Sequence, residues 1–163
     1  MEEQFRQLLA ANGPALLRLA ASYTNTVSDR DDLFQEIALA IWKALPRFRG
    51  ESSDRTFIFR IAHNRAMSHL AKRRTSALAS DENVDVEDPS PDPEAVLLRD
   101  QRHVRLLAAI RQLPVEYRQV MTLALEGMSY AEIAHVVGIQ ESNVGVRLNR
   151  GREMLRRLME VEK

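Results

Sequence analysis

Residues 80–95 read SDENVDVEDPSPDPEA, and this run constrains the fold more than any other part of the chain. It holds seven acids, three prolines and, as larger apolar residues, only Val84 and Val86. Such a stretch cannot bury enough apolar surface to offset the entropy of ordering it. Pro89, Pro91 and Pro93 keep it extended, so it reads as a flexible acidic linker. The 163 residues therefore divide into 1–79, a tether over 80–95, and 96–163. Each flanking piece has to build a core of its own.

Both pieces read as helical. Period-2 alternation and hairpin dipeptides are lacking, whereas apolar residues recur at helical spacing. The first helix runs to about Tyr23, with Asn12-Gly13-Pro14 expected to kink or restart it. Ser28, with Asp31 three residues on, reads as the N-cap of a second helix that Pro46 stops. Its inward stripe is Leu33, Ile37, Ala40, Ile41, Ala44 and Leu45. Ser53 caps a third helix reaching about Arg74, with Phe57, Ile58, Ile61, Ala62 and Leu70 turned inward. Beyond the linker the pattern gives helices over about 94–112 and 115–126. Ser129 and Glu132 then form a capping box for a short helix ending at Gly138, and a last helix covers about 141–160. The fold class is all-α: two small helical domains, a helical bundle and a helix-turn-helix, joined by the linker.

Composition narrows the functional classes. Cysteine is absent, which removes disulfides and thiolate metal sites and suits a reducing cytoplasm. The N-terminus lacks the basic start and unbroken apolar core of a signal peptide, and no run approaches a membrane span. The expectation is a soluble cytoplasmic protein. His63, His69, His103 and His135 are scattered, with no pairing that supports a metal site, and phosphate-loop and nucleophile-elbow patterns are missing. No catalytic residue, cofactor, metal or small-molecule substrate is expected.

The net charge is zero, yet salt screens charges beyond about 8 Å, so local charge decides contact with a polyanion. Residues 47–76 carry eight basic and two acidic side chains; 77–98 carry seven acidic and no basic ones; 99–163 carry eleven basic and eight acidic. The average conceals two basic modules and an acidic spacer.

Three stretches carry candidate function. The helices over 129–137 and 141–160, joined by Gly138-Ile139-Gln140, have helix-turn-helix proportions. On a helical wheel Val144, Leu148, Gly151 and Leu155 share one side, suited to packing on Ile133 and Val137. Ser142, Asn143, Val146, Asn149 and Arg150 collect opposite, with Arg147 flanking. Short polar groups and arginines on a second helix suit a DNA major groove; an ordinary amphipathic helix is the plainer reading. Residues 46–74 interleave Arg47, Arg49, Arg55, Arg60, Arg65, Lys72, Arg73 and Arg74 with Phe48, Phe57 and Phe59, the pattern of single-strand binding. Phe57 is expected in the core, and the polar loop 47–55 is expected to be functional. Asp29, Asp32, Gln35 and Glu36 flank the stripe of the second helix. The helix dipole explains acids in the first turn but not Glu36.

Taken in order, these stretches resemble a known family. DRDDLFQEIALAIWKALPRFRGESSDRTFIFRIAHNRAMSHLAKRR resembles region 2 of bacterial RNA polymerase sigma factors, and LPVEYRQVMTLALEGMSYAEIAHVVGIQESNVGVRLNRGREML resembles region 4. The small size and short linker are similar to the extracytoplasmic-function group. The resemblance implies a factor that binds core RNA polymerase and directs it to promoters. It implies that Asp32, Leu33, Gln35, Glu36 and Trp42 dock on the clamp coiled coil of the largest subunit. Arg47, Phe48, Arg49, Ser52, Ser53, Arg55, Arg60, Asn64, Arg65 and Arg73 would melt and grip the minus-10 element. Ser129, Tyr130, Glu141, Ser142, Asn143, Val146, Arg147, Asn149 and Arg150 would read the minus-35 duplex, while this region also touches the flap of the second-largest subunit. The linker would thread toward the active centre, and an anti-sigma partner, often membrane-bound, would occlude the polymerase-binding surfaces.

Departures from the family pattern fall at Asp54, where an aromatic or apolar residue is frequent, at Phe57 for a frequent tryptophan, and at Gly145-Val146, where Lys-Ser is frequent. Val146, at the centre of the outward face, could meet a thymine methyl, and Gly145 would let the helix backbone approach DNA closely; ordinary surface tolerance is the equal alternative, since single exposed valines are common. Two other classes remain beside this one. A stand-alone helix-turn-helix regulator would leave residues 28–74 without a task, and a helical scaffold would make the basic segment incidental.

Overall fold

The computed structural model describes residues 1–79 and 101–161. The expected linker over 80–95 and the first turns of the helix expected from about 94 lie outside the described residues. The chain divides into two compact units, Met1–Glu87 and Asp88–Lys163.

In the first unit, α1 (Glu2–Ser22), α2 (Val27–Ala44) and α3 (Asp54–Ala79) each pack on the other two. A 3-10 turn, Leu45–Arg47, follows α2. Of the kink or restart expected at Asn12-Gly13-Pro14, the restart does not occur: α1 is continuous and Pro14 lies inside it. The amide side chain of Asn12 donates to the Leu8 carbonyl at 2.9 Å, tying down the turn before the proline. The N-cap of α2 is Thr26 rather than Ser28, its hydroxyl accepting from the Asp29 amide at 3.0 Å. Threonine and serine both cap well, and Thr26 is the one in extended conformation, so the helix starts two residues early. Ser53 caps α3 as expected, accepting from the Thr56 amide at 3.1 Å. That helix runs five residues past Arg74.

The core of this unit is Leu16, Leu19, Leu33, Ile37, Ile41, Ile58, Phe59, Ala62 and Ala66. On α3 the inward stripe is turned by about one residue from the expected one. Phe59 is wholly buried, whereas Phe57, Ile61 and Leu70 are half-buried. Three consecutive apolar residues, Phe57-Ile58-Phe59, let two stripes fit one periodicity, and packing against α1 and α2 selects between them. Ala40 and Ala44, expected inward on α2, are also half-buried.

The second unit holds α4 (Gln101–Gln112), α5 (Val115–Leu125), α6 (Tyr130–Val137) and α7 (Glu141–Val161). The last packs on each of the other three. Val120, Leu123, Ile133, Val136, Val144 and Leu148 form its centre. Val136 takes the buried place expected of Val137, which is half-buried. Gly151 is buried where α7 meets α5: a β-carbon there would lie 3.1 Å from Met121 Cε and 3.4 Å from Tyr117 Cβ. At the bend between α4 and α5, the Arg118 guanidinium donates to the carbonyls of Arg111 and Leu113 at 2.8 and 2.9 Å. It satisfies carbonyls left over at a helix C-terminus.

Candidate nucleic-acid interface

Residues 129–151 build the first candidate surface. Ser129 accepts from the Glu132 amide at 3.2 Å while the Glu132 carboxylate accepts from the Ser129 amide at 3.0 Å. This capping box fixes the start of α6. Gly138, at φ 83°, adopts the left-handed conformation that glycine tolerates. Its amide and that of Ile139 both donate to the Ala134 carbonyl, at 2.8 and 3.1 Å, which ends α6 and turns the chain into α7.

The wheel reading of α7 is realised. Val144, Leu148, Gly151 and Leu155 are buried, whereas Glu141, Ser142, Asn143, Asn149 and Arg150 are exposed. Val146 is 48% exposed and Arg147 is half-buried beside it. Ser129 and Tyr130 are exposed at the start of α6. Gly145 departs from expectation. It does not present bare backbone, because the ring of Tyr130 lies over it, 3.5 Å from where its β-carbon would stand.

The second surface lies in the first unit, on the connection from α2 to α3 and on α3. Arg47, Arg49, Ser53, Arg60, Asn64 and Arg65 are exposed; Phe48, Ser52 and Arg55 are half-buried. Phe48 and Phe57 stack at a centroid distance of 4.3 Å, at the foot of a turn that Gly50 makes at φ 74°. The Arg55 guanidinium lies 5.4 Å from the centre of the Phe59 ring, within cation–π reach. Two expected DNA contacts are already engaged inside the protein. The Ser53 hydroxyl is occupied by its cap, and Arg73 bridges to Asp29 at the start of α2. Phe59, counted from the sequence among aromatics for base stacking, belongs to the core.

A third surface is the outward side of α2, where Asp32, Gln35 and Glu36 are exposed. Leu33 is wholly buried, so its side chain serves the core and not a docking face. Trp42 is half-buried, its ring meeting Phe5 of α1 edge-on at 5.1 Å. The sequence reading missed Leu39, which is 53% exposed and lies three and four residues from Glu36 and Gln35. Its position off the Leu33-Ile37-Ile41 stripe was the signal.

His63, on α3, is buried with 6% exposure, and neither ring nitrogen has a hydrogen-bond partner among the described residues. Burial lowers its pKa, and the neighbouring Asn64 side chain opposes the shift without reaching hydrogen-bond geometry. Among the described residues no group of three or more acids and histidines is placed to hold a metal, and no helix is long and apolar enough to cross a membrane.

Comparison with known proteins accounts for both units. Residues 8–76 match the model of sigma-70 region 2, and residues 103–155 that of sigma-70 region 4. The ECF RNA polymerase sigma-E factor of Haemophilus influenzae is 33% identical over 150 residues, covering 85% of this chain and 79% of that protein. Among solved structures, CnrH in complex with the cytosolic domain of CnrY superposes with a TM-score of 0.74 at 27% identity, over 100% of this chain and 92% of that one. The sigma factor RpoE of Bartonella quintana, solved with the anti-sigma factor NepR, shares the fold at a TM-score of 0.78 and 24% identity, over 99% of each chain. A stand-alone regulator has no use for a region 2, so that alternative gives way. The chain belongs to the sigma-70 family of RNA polymerase sigma factors, in the extracytoplasmic-function group, and is a transcription initiation factor that directs polymerase to promoters.

Proposed function

We propose that the two units divide this task by surface, as residues 1–79 and 96–163 about the linker 80–95. The outward face of α2, with Asp32, Gln35, Glu36 and the newly found Leu39, docks on the clamp coiled coil of the largest polymerase subunit, and Trp42 lies at its margin. The loop after α2 and the exposed side of α3, with Arg47, Phe48, Arg49, Ser52, Arg55, Arg60, Asn64 and Arg65, engage the minus-10 element. The α6–α7 pair inserts α7 into the minus-35 major groove and meets the flap of the second-largest subunit. The factor does no chemistry itself and acts in the cytoplasm. An anti-sigma partner that covers the polymerase-binding surfaces fits this reading, since CnrH and RpoE were solved with CnrY and NepR.

One observation supports this division above all: within the first unit, the two surfaces differ in charge balance. Acids prevail on α2, where Asp31, Asp32 and Glu36 are exposed against Lys43, and bases prevail on the loop and α3, where Arg47, Arg49, Arg60, Arg65, Lys72 and Arg74 outnumber the exposed Glu51 and Asp54. A single surface could not serve a protein and a polyanion equally, because like charges repel a nucleic acid backbone. The test is to add the full chain to core polymerase and map transcript starts on a promoter library. Failure to bind core or to start transcripts refutes it.

A further inference from the structure

Arg73 and Asp29 meet where two buried stripes run out. On α2 the buried residues Leu33, Ile37 and Ile41 recur every four residues, and Asp29 takes the next place toward the helix start. On α3 the buried residues Ile58, Ala62 and Ala66 recur in the same way, and Arg73 lies seven residues past Ala66 on that side. The two helices pack on each other, and the ion pair between the Arg73 guanidinium and the Asp29 carboxylate takes over where apolar contact thins. Between residues 67 and 76 no residue of α3 is buried. The exposed bases Lys72 and Arg74 stand on either side of Arg73. Lys72 lies two turns beyond the exposed Arg65 and on the same face.

We propose that Arg73 is a positioning residue: through Asp29 it holds the far end of α3 against α2, so that Lys72 prolongs the basic face of Arg60 and Arg65 along the minus-10 strand. This rests on the reading of α3 as the minus-10 helix and deepens it. With side chains 41% and 26% exposed, the pair is screened by solvent and adds little to stability. Its effect is on direction. It joins groups 44 residues apart in sequence, and Asp29 sits in a first turn that the Thr26 cap already fixes. The paired carboxylate and guanidinium together offer a polyanion no net charge, whereas Lys72 offers a whole one. Were Arg73 instead a DNA contact withheld by Asp29, removing the carboxylate would free it and tighten binding. The two roles therefore predict opposite signs for one substitution.

The test uses holoenzyme made from the full chain with saturating core polymerase, bound to a promoter that wild-type holoenzyme selects from a random library. Asp29→Asn is expected to weaken binding about fivefold, the upper end for a screened charge pair. It should also lower the salt slope by about one, although it removes a negative charge. Arg73→Gln is expected to lose as much, and the double variant no more than either single one. Lys72→Ala should weaken binding in the wild-type background and almost not at all in Asp29→Asn. The unfolding midpoint followed by Trp42 should stay close to wild type in Asp29→Asn. Equal or tighter binding by Asp29→Asn overturns the proposal, as do additive losses in the double variant. A lowered midpoint with an unchanged salt slope also overturns it, since the pair is then merely structural. Arg65→Ala separates the two levels. If it weakens binding while Asp29→Asn or Lys72→Ala is silent, only the positioning role falls. If all these variants bind like wild type, the minus-10 assignment of α3 falls with it.

Discussion

His63 supplies a measurable pH dependence confined to one unit. Burial holds its pKa below the ordinary 6.5, so the folded state keeps the ring neutral at a pH where the unfolded chain takes up a proton. Above about pH 7 both states are neutral and the residue contributes no slope. As pH falls through the unfolded value, the unfolded state gains a proton and stability drops, until the folded pKa is reached and the curve flattens. For an unfolded value near 6.5 the loss between pH 7.5 and 5.5 is at most about 1.4 kcal/mol. With a urea m-value of about 1 kcal/mol/M for a domain of this size, the midpoint falls by roughly 1 M. The sole tryptophan, Trp42, packs on Phe5 within the same unit, so its fluorescence follows this unit and not the other. His63→Leu replaces two nitrogens that lack partners by an apolar group. It should be at least as stable at pH 7.5 and lose most of the shift on going to pH 5.5. Equal midpoint shifts in wild type and variant would refute this account of His63.

Three further outcomes follow from surfaces and packing. Glu36→Lys reverses a charge on the outward face of α2 and should weaken core-polymerase binding at least tenfold with Trp42 unfolding unchanged; a wild-type affinity in a competition assay removes the docking role. Ser129→Ala deletes half of the capping box and should lower protection of the α6 amides by about 1 kcal/mol in hydrogen exchange, whereas unaltered exchange means the box is idle. Gly151→Leu drives a side chain into Met121 and Tyr117 and should destabilise the second unit by about 3 kcal/mol or more, read from the α5 and α7 amides.

Several helix ends were legible because they are punctuated: Ser53, Ser129 with Glu132, Pro114 and Gly138 mark them by local chemistry, whereas the start of α2 and the end of α3 were misplaced. The buried stripe of α7 was legible too, since Val144, Leu148 and Leu155 leave a single consistent face. What could not be read depended on contacts distant in sequence. Phe57 and Phe59 exchange roles because packing on α1 and α2 sets the rotation of α3. Arg73 meets Asp29 across 44 residues, and no local pattern announces the pair. Tyr130 over Gly145 likewise joins two helices, and a wheel drawn for one helix cannot include a ring lent by another. Of the faces read from sequence, the exposed one on α7 was drawn almost correctly, whereas on α2 the buried Leu33 was placed outward and the exposed Leu39 was passed over.

The separation of faces on α7 bears on how such a factor changes its promoters over generations. The residues that hold the helix in place are on one side, and Ser142, Asn143, Val146, Asn149 and Arg150 on the other touch no core. Surface substitutions of this kind usually alter stability by no more than about 0.5 kcal/mol. On the proposed reading of this face, new base preferences can be sampled one residue at a time without passing through unfolded intermediates. Position 145 differs from its neighbours, because a side chain added there meets the Tyr130 ring of α6 and so engages a second helix.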